Sequence, residues 1–295
     1  MKKALKILLI IIIIFVLLFV GTFAFNFIKF KIFSYEGEVI SFSVLDKIEE
    51  NRENFDPTNL GLKLAWSDDF EGTELDPKKW ECCPEWERAD VGARWDDDMV
   101  ELDGKGNLLL KVGLDEDNEI ISGAVRTKTK DYRVLFEQAR GYFEIRTTLQ
   151  SVPGYWSAFW VIGDNKTNPG NGASDGAEID IFESFDLNGG RINHALHWDG
   201  LGETTKSLGG HTVNKGLYDG EYHTFGLLWA DDGYFFYVDG QLSYSIDATA
   251  DDFPGSSADP SYIKISNEVG TWAGYMSKSD LPDQIKVDYV KVYSF

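Results

Sequence analysis

From Leu64 onward, short runs of β-branched and aromatic residues alternate with clusters of Gly, Asp, Asn and Pro, and this pattern restricts the fold more than any other feature. No long stretch of this region has a helical period, and the pairs Asp103-Gly104 and Asp239-Gly240 are typical of hairpin turns. The sequence therefore predicts an all-β fold, an antiparallel sandwich or barrel. The predicted strands are Asn107–Val112, Gly123–Thr127, Gly141–Thr147, Glu178–Phe182, His223–Trp229, Tyr234–Val238, Tyr262–Ser266 and Ile285–Tyr293.

The N-terminus differs from the rest of the chain because it contains a long uncharged run from Ile7 to Ile28, preceded by three lysines. As a helix this run would span roughly 33 Å at ~1.5 Å per residue, enough to cross a bilayer. A cleavable signal peptide has a shorter apolar centre of about 7–15 residues. We therefore predict a basic N-terminus at 1–6, a single-pass membrane anchor at 7–28, a spacer at 29–61 and one extracellular domain at 62–295. Cleavage of the N-terminal segment would make the protein secreted.

The charge of the chain limits its partners. It has 28 Lys+Arg and 49 Asp+Glu, a net charge of −21. Five of the lysines precede Glu36, where there is no acid, so residues 36–295 carry 23 − 49 = −26. Such a surface repels phosphate backbones and sulfated polymers, which argues against a nucleic-acid partner. Aromatic residues make up 14% of the chain, a content that suits either an aromatic β core or a sugar-binding surface.

Cysteine and histidine give no sign of a metal centre or a disulfide framework. The two cysteines, Cys82 and Cys83, are adjacent, so a bridge between them would be strained and no other partner exists in the chain. The four histidines lack a metal-ligand spacing such as HExxH.

The segment that carries most chemical information contains Glu178, Asp180 and Glu183. On a strand, side chains at i and i+2 share a face, so Glu178 and Asp180 point one way while the intervening isoleucines point into the core. Strict alternation would send Glu183 inward. One extra residue at Ile181-Phe182, a β-bulge, returns Glu183 to the face of the other two acids.

Three acids on one face suit glycoside hydrolysis. That reaction uses one ionised carboxylate as nucleophile or base and one carboxylic acid that protonates the leaving oxygen. Crowding of acids separates the two roles, since a group beside other anions holds its proton more strongly. A strand with three solvated acids, or a calcium site, are the alternatives.

These residues resemble a known family. Glu178–Glu183 matches the ExDxxE signature of family 16 glycoside hydrolases in the bulged form of the laminarinase-like members. The likeness extends from about Leu64 to Phe295. The further segments that carry it, in the order of the family, are Trp66–Thr73, Leu75-Asp76, Trp80, Gly123–Lys128, Gly141–Arg146, Gly154–Trp160, His223–Trp229, Phe236–Gly240 and Val287–Tyr293.

The resemblance implies a concanavalin-like jelly roll of two antiparallel sheets, with a sugar-binding cleft on the concave sheet. It also implies that Glu178 is the nucleophile, Glu183 the general acid and then base, and Asp180 the residue that tunes them. The anomeric configuration would be retained.

The resemblance gives five substrate-binding candidates. Trp156 and Trp160 are expected to be stacking platforms, with core packing as the alternative for each. His197 is expected near the cleft, donating to a sugar hydroxyl or to the nucleophile, and a structural histidine is the alternative. Arg126 is expected near a bound sugar, although a paired surface charge is common for an arginine on a strand. Trp272 is expected to stack on a sugar.

The resemblance also bears on metals. Relatives often hold a structural calcium ion with the aspartate of the closing strand, here Asp288, so a structural calcium is possible although catalysis requires no cofactor.

Parts of the chain depart from the laminarinase pattern. Glu81–Arg88 and Arg94–Asp98 replace the usual early loop, and Ser157 stands where many relatives have proline. Glu268 lies where relatives close the cleft, and its role stays open. These departures weaken an assignment to β-1,3-glucan alone.

The sequence as a whole predicts a membrane-anchored, retaining, endo-acting hydrolase of a neutral polysaccharide, with β-1,3- or mixed-linkage glucan as the favoured substrate. The endo mode rests only on the open cleft of the family. An endo-β-galactosidase and a transglycosylase are alternatives on the same scaffold. A non-catalytic lectin or sensor is the alternative of another class, and it is disfavoured because all three acids are present.

Overall fold

The computed structural model describes residues 54–83, 86–88, 91–231, 233–247 and 258–295. The predicted anchor at 7–28 and the spacer up to residue 53 lie outside the described residues. Within the described ranges, no helix combines the length and apolarity that a membrane span requires.

The described residues form nineteen strands, and each of the eight predicted strand segments lies on one of them. In chain order they are β1 Lys63–Asp68, β2 Glu81–Cys82, β3 Glu87–Arg88, β4 Ala93–Trp95, β5 Val100–Leu102, β6 Leu108–Leu114, β7 Ile120–Ser122, β8 Ala124–Arg126, β9 Glu137–Gln138, β10 Gly141–Thr147, β11 Tyr155–Ile162, β12 Glu178–Asp186, β13 Arg191–Trp198, β14 Lys206–Val213, β15 His223–Trp229, β16 Gly233–Val238, β17 Gln241–Asp247, β18 Ser261–Val269 and β19 Asp283–Ser294.

The strands form two sheets. The first has the order β17-β16-β15-β10-β19-β6-β7-β4-β3, with β1 added to β19 and β5 added to β6. The second has the order β14-β13-β12-β11-β18-β8-β2, with β9 added to β18. Among the described strands every pair is antiparallel except β4 with β7. The prediction of an all-β jelly-roll sandwich is confirmed.

A single large apolar core lies between the two sheets. It forms because alternate side chains of each strand point inward, Phe143 and Ile145 from β10 of the first sheet and Ile263 and Ile265 from β18 of the second. All four are fully buried. Burial of each such side chain stabilises the folded protein by roughly 1.5–3 kcal/mol. The core therefore holds the inner face of the second sheet in place, and the outer face of that sheet is free to carry a site.

The chain already packs on the sandwich before β1. Phe55 is buried against the rings of Tyr142 and Tyr237, at centroid distances of 4.7 and 4.2 Å. Its backbone nitrogen donates a hydrogen bond to the carbonyl of Gly240 at 2.9 Å. The last residues of the predicted spacer are therefore part of the folded unit.

Candidate active site

An irregularity in β12 brings the three acids to one face of the second sheet. Ile181 has no partner on β11, because the pairing passes directly from Asp180 to Phe182. This extra residue is the predicted bulge, and it restores Glu183 to the side of Glu178 and Asp180. The pairs across β11 and β12 are Ala158–Glu183, Phe159–Phe182, Trp160–Asp180, Val161–Ile179 and Ile162–Glu178.

The bulge is held from behind by the core. Ile181 and Phe182 are both fully buried, and the Phe182 ring stacks on Phe225 of the opposite sheet at 4.2 Å between centroids. The buried ring of His194 lies with Nδ1 2.7 Å from the carbonyl oxygen of Ile181 and Nε2 2.8 Å from the hydroxyl of Ser243. Burial lowers the pKa of His194 to about 4, so the ring is neutral and can donate to the bulge carbonyl while accepting from the serine.

The three acids face a pocket of about 230 Å³ on the outer side of the second sheet. Aromatic and cationic side chains surround them, a combination that suits a polyhydroxylated ligand. The pocket is lined by Trp86, Arg88, Trp95, Trp156, Ala158, Trp160, Lys166, Glu178, Asp180, Glu183, Leu201, Lys264 and Glu268.

Glu178 is paired with a cation. The ammonium of Lys166 lies 3.1 Å from Oε2 of Glu178, and the Lys166 side chain is buried. An adjacent positive charge favours the ionised form of a carboxyl group. The Lys166 ammonium therefore lies where it can neutralise a carboxylate at Glu178, the form that a nucleophile requires. Lys166 lies between β11 and β12, where the sequence shows no motif, and the sequence analysis missed it.

Asp180 is paired with His197, whose Nε2 lies 3.1 Å from Oδ2 of Asp180. Burial alone would lower the pKa of His197, but the hydrogen bond to Asp180 and the charge of that carboxylate outweigh burial and raise it to about 9. Burial also raises the pKa of Asp180, a rise that the bond from His197 opposes. Strand pairing sets His197 opposite Glu178, yet the residue that its ring contacts is Asp180.

Glu183 receives two hydrogen bonds. Nε1 of Trp156 donates to Oε1 at 3.1 Å, and Nδ2 of Asn193 donates to Oε2 at 2.8 Å. Burial raises the pKa of Glu183 to about 8, with the negative charge of Asp180 as the next cause, and the bond from Asn193 opposes the rise. At neutral pH Glu183 is therefore protonated and can act as an acid. The sequence analysis missed Asn193.

Trp156 and Trp272 are close together but neither presents an open face to the pocket. Trp156 is 3% exposed, and the guanidinium carbon of Arg88 lies 4.9 Å from its ring centroid. Trp272 meets Trp156 edge-on at 5.1 Å and stacks on Phe185 at 4.4 Å, and it is not among the residues that line the acid pocket. Their expected stacking on sugars stays a prediction, and the structure gives Trp156 a second role as a donor to Glu183.

Trp160 lines the pocket on the same face as Trp156. Its indole nitrogen donates to the hydroxyl of Ser266 at 3.1 Å, which fixes the ring. The ammonium of Lys264 lies 4.2 Å from the Trp160 centroid and 4.9 Å from that of Trp95. Burial lowers the pKa of Lys264. Lys264 is a further pocket residue that the sequence analysis missed.

Arg126 does not line the acid pocket. It is next to Lys264 on the neighbouring strand, and its Nη2 donates to Oε1 of Glu81 at 2.9 Å. It borders a second, larger cavity on the same sheet instead. The expected contact between Arg126 and a sugar stays a prediction.

Asp288 lies on β19 of the opposite sheet, where its carboxylate pairs with the guanidinium of Arg146. Within the described part of the chain it belongs to no cluster of three potential metal ligands. A carboxylate already matched by a fixed cation is a poor calcium ligand, so Asp288 with its present neighbour does not fit the expected ion. A second candidate for a metal site is the cluster of Glu178, Asp180 and His197, whose ligand atoms lie within 4.8 Å of one another. Because the Lys166 ammonium already pairs with Glu178, this cluster is also a poor cation site.

Glu268 joins the unusual early segment to the pocket. Nε and Nη2 of Arg88 both donate to Oε2 of Glu268 at 3.2 Å, although the two residues are 180 positions apart. Glu268 is buried, and burial raises its pKa against the opposing effect of Arg88. Two residues of the segment that departs from the laminarinase pattern, Trp86 and Arg88, therefore line the pocket.

Known proteins are similar to this chain in sequence and in fold. Glucan endo-1,3-beta-glucosidase A1 of Niallia circulans is 27% identical over 270 residues, 81% of this chain and 39% of that protein. Keratan-sulfate endo-1,4-beta-galactosidase of Sphingobacterium multivorum is 29% identical over 255 residues, 78% of this chain and 55% of that protein. The chain thus spans about half or less of the length of these two relatives. The crystal structure of laminarinase from Flavobacterium sp. UMI-01 matches with a TM-score of 0.66 and 25% identity, covering 79% of this chain and 100% of that one.

The sequence profile of glycosyl hydrolases family 16 matches residues 90–291, which include all three acids, both strands beside them and most of the closing strand β19. Since this range is more than half of the chain, the protein belongs to glycosyl hydrolases family 16.

Proposed function

We propose that the protein is a retaining, endo-acting hydrolase of a neutral β-glycan, with β-1,3- or mixed-linkage glucan as its substrate. The observation that carries the proposal is the contrast between two carboxyl groups on one strand face. Glu178 has an ammonium at 3.1 Å, whereas burial and the charge of Asp180 raise the pKa of Glu183 to about 8. One carboxylate and one carboxylic acid are the pair that this reaction needs.

In the first step Glu183 gives its proton to the glycosidic oxygen while the Glu178 carboxylate attacks the anomeric carbon. The bond from that carbon to the leaving oxygen breaks, and an ester between the sugar and Glu178 forms. The indole of Trp156 and the amide of Asn193 then stabilise the new Glu183 carboxylate, because both donate to its oxygens.

In the second step a water attacks the anomeric carbon of the ester, and Glu183 accepts the proton of that water. Glu178 leaves as a carboxylate beside Lys166, so the site returns to its starting protonation state. Two inversions at one carbon give net retention. The His197–Asp180 pair keeps a neutralised carboxylate between the two glutamates throughout.

Replacement of either glutamate tests the mechanism. Glu178→Gln and Glu183→Gln are near-isosteric, so both variants are expected to fold and to bind glycan while losing turnover by at least about 1,000-fold. The count of new reducing ends in laminarin and lichenan measures this for the domain from residue 54. Turnover at the parental rate in both variants would contradict the proposal.

An endo-β-galactosidase is the second candidate, because one relative carries that activity in its name. A panel of laminarin, lichenan, xyloglucan, agarose and poly-N-acetyllactosamine separates the two. New reducing ends on the glucans support the first proposal, and cleavage of agarose or poly-N-acetyllactosamine alone supports the second. Binding without cleavage on any of them would favour a lectin.

We also propose that residues 7–28 anchor the enzyme in a membrane with the hydrolase domain outside. The support is the length of the uncharged run and the lysines at 2, 3 and 6 that precede it. Full-length protein is expected in the membrane fraction and digestible by protease added to intact cells. Full-length protein found only in the soluble fraction of the cell would contradict the anchor.

A further inference from the structure

Asp199, the residue after β13, has a buried carboxylate that takes part in no step of the mechanism. Its side chain is 2% exposed. The backbone nitrogens of Gly172 and Ala173 donate to its two oxygens at 3.2 and 3.4 Å, and those of Gly170 and Asn171 also donate to it. Burial raises the pKa of Asp199, but these backbone bonds outweigh burial and lower the pKa below its ordinary value. Four consecutive donors therefore hold an ionised carboxylate.

The four donors belong to the connection between β11 and β12, residues 163–177, which contains neither helix nor strand. We call it the β11–β12 loop. At its base the backbone nitrogen of Gly163 donates to the carbonyl of Ala177 at 2.9 Å. The two ends approach so closely that a Cβ atom on Gly163 would lie 3.1 Å from the Cα atom of Gly176. The base and the bonds to Asp199 are thus two separate attachments of this loop to the second sheet.

Lys166 lies between these two attachments in the sequence. Its neighbours Asn165 and Thr167 are exposed, whereas Lys166 is 7% exposed. The Lys166 ammonium is 3.1 Å from Oε2 of Glu178. Lysine has a long and flexible side chain, so its ammonium keeps one place only when the backbone that carries it is fixed. Because no helix or strand fixes the backbone here, the attachments at the base and at Asp199 have to do so.

The turn that carries Asp199 also contributes to the acid pocket. Asp199 has a φ of 54°, in the left-handed region, which aspartate tolerates better than most residues. Two residues later Leu201 lines the pocket, and its backbone nitrogen donates to the hydroxyl of Thr204 at 3.2 Å. The ammonium of Lys206 lies 3.6 Å from Oδ2 of Asp199. Surrounding bonds that hold a residue in a sparsely populated conformation are common at functional sites.

We propose that Asp199 is a positioning residue for the hydrolysis, because its carboxylate holds the β11–β12 loop where the Lys166 ammonium meets Glu178. The inference rests on the proposed function and deepens it. Lys166 orients the Glu178 carboxylate for attack on the anomeric carbon and stabilises the same carboxylate when it leaves in the second step. Without the bonds to Asp199 the loop has one attachment, and the ammonium exchanges Glu178 for water.

A double-variant cycle on the full chain tests this role, with kcat and KM for laminarin corrected for the folded fraction. Lys166→Met and Asp199→Ala are each expected to lower kcat by about tenfold, the size expected for one hydrogen bond between charged groups. KM should change little, because neither side chain is assigned to the substrate. In the Lys166→Met background, Asp199→Ala should cause no further loss, since its effect passes through Lys166. A general loss of structure would lower kcat by the same factor in both backgrounds.

Two further variants complete the cycle. Asp199→Asn keeps one oxygen that can accept from the loop, so it should lose less activity than Asp199→Ala, and it replaces that variant in the cycle if Asp199→Ala does not fold. Asp103→Ala is the matched control. Asp103 accepts from the backbone nitrogens of Lys105 and Asn107 at 2.8 and 3.1 Å in the turn between β5 and β6 of the first sheet. Its loss should leave kcat unchanged.

The position of Lys166 can also be measured without catalysis. Brief treatment with the N-hydroxysuccinimide ester of acetic acid acylates accessible amines, and mass spectrometry of the peptides gives the rate at each lysine. Lys166 is expected to react slowly in wild type and in Asp103→Ala, because it is buried and paired. In Asp199→Ala its rate should rise by about tenfold, the same factor as the loss in kcat.

Two results would overturn the positioning role: losses in kcat that multiply in the Lys166→Met background, or a rate of Lys166 acylation that Asp199→Ala leaves unchanged. Equal effects in Asp103→Ala would overturn it as well. If wild type cleaves none of the glycans in the panel while Lys166 still becomes reactive in Asp199→Ala, the proposed function fails although Asp199 holds the loop. The two failures are therefore distinguishable.

Discussion

The indole nitrogen of Trp156 lies 3.1 Å from Oε1 of Glu183, so a tryptophan buried in the wall of the pocket donates a hydrogen bond to the residue that serves as the acid. A donor to a carboxylate stabilises the ionised form, so this bond acts in the same direction as the bond from Asn193, which opposes the rise that burial causes in the pKa of Glu183. Trp156 thus helps to set how far above neutrality Glu183 keeps its proton.

Replacement of Trp156 by phenylalanine is expected to raise the pKa of Glu183 further. Wild-type kcat/KM should fall as the pH rises through about 8, since Glu183 must be protonated to act as an acid. In Trp156→Phe this basic limb should move upward by about one pH unit, the worth of one hydrogen bond to a charged group. The pH profile of kcat/KM measures it, with Trp272→Phe as the control. A downward shift, or an equal shift in the control, would contradict the assigned role.

The Arg88–Glu268 pair is expected to stabilise the pocket wall. Arg88→Leu leaves a buried carboxylate without its cation and should lower the free energy of unfolding by about 2 kcal/mol, less than for a fully buried pair because Arg88 is a third exposed. The double variant Arg88→Leu/Glu268→Leu should regain most of that loss. Urea unfolding gives the values. The control is Arg94→Leu, which should lose less because its partners Asp96 and Asp115 are more exposed than Glu268. Additive losses in the double variant would show that the pair is not coupled.

Two strands with clear alternation between turn residues, β10 and β15, could be predicted from the sequence to the residue, whereas the bounds of the other six predicted strands differ from the observed ones. The predicted bounds of β10 and β15 are the observed ones. The short strands β2 to β4 were not predicted, because two or three residues are too few to show a period. Their pairing is decided by tertiary contacts, such as the bonds from Arg88 to Glu268.

The three acids could be found because they lie within six residues on one strand, where spacing translates directly into geometry. Lys166 and Asn193 could not, since each comes from a different segment and meets an acid only after the sheet has formed. The partner of His197 shows the same limit. Strand pairing sets His197 opposite Glu178, but its side chain is directed so that the ring contacts Asp180.

Asp288 provides a test of the expected calcium ion. Its carboxylate pairs with Arg146, and both side chains are more than a third exposed, so Asp288→Asn should cost less than about 1 kcal/mol of stability. Any rise in Tm that millimolar calcium causes should be the same in wild type and in this variant, because the carboxylate is already matched by a guanidinium. A calcium-dependent rise in wild type that Asp288→Asn abolishes would show that the ion binds there and displaces Arg146.

The bond from His194 to the carbonyl of Ile181 is expected to make the stability of the bulge depend on pH. Burial lowers the pKa of His194 to about 4 in the folded protein, whereas an unfolded histidine titrates near 6.5. Between these values the unfolded chain binds the extra proton. The contribution of the neutral ring is therefore fully present above about pH 6.5 and is lost as the pH falls toward 4.

The free energy of unfolding of wild type relative to His194→Gln should thus shrink by about 2–3 kcal/mol between pH 7 and pH 4.5, since each unit of difference in pKa is worth about 1.4 kcal/mol. Subtracting the variant removes the titration of the carboxylates, which both proteins share. Denaturant unfolding at several pH values measures the difference. If the difference in free energy of unfolding between wild type and His194→Gln stays constant over this pH range, His194 has the same protonation state in the folded and unfolded chains. The carbonyl of Ile181 would then not be held by a neutral ring.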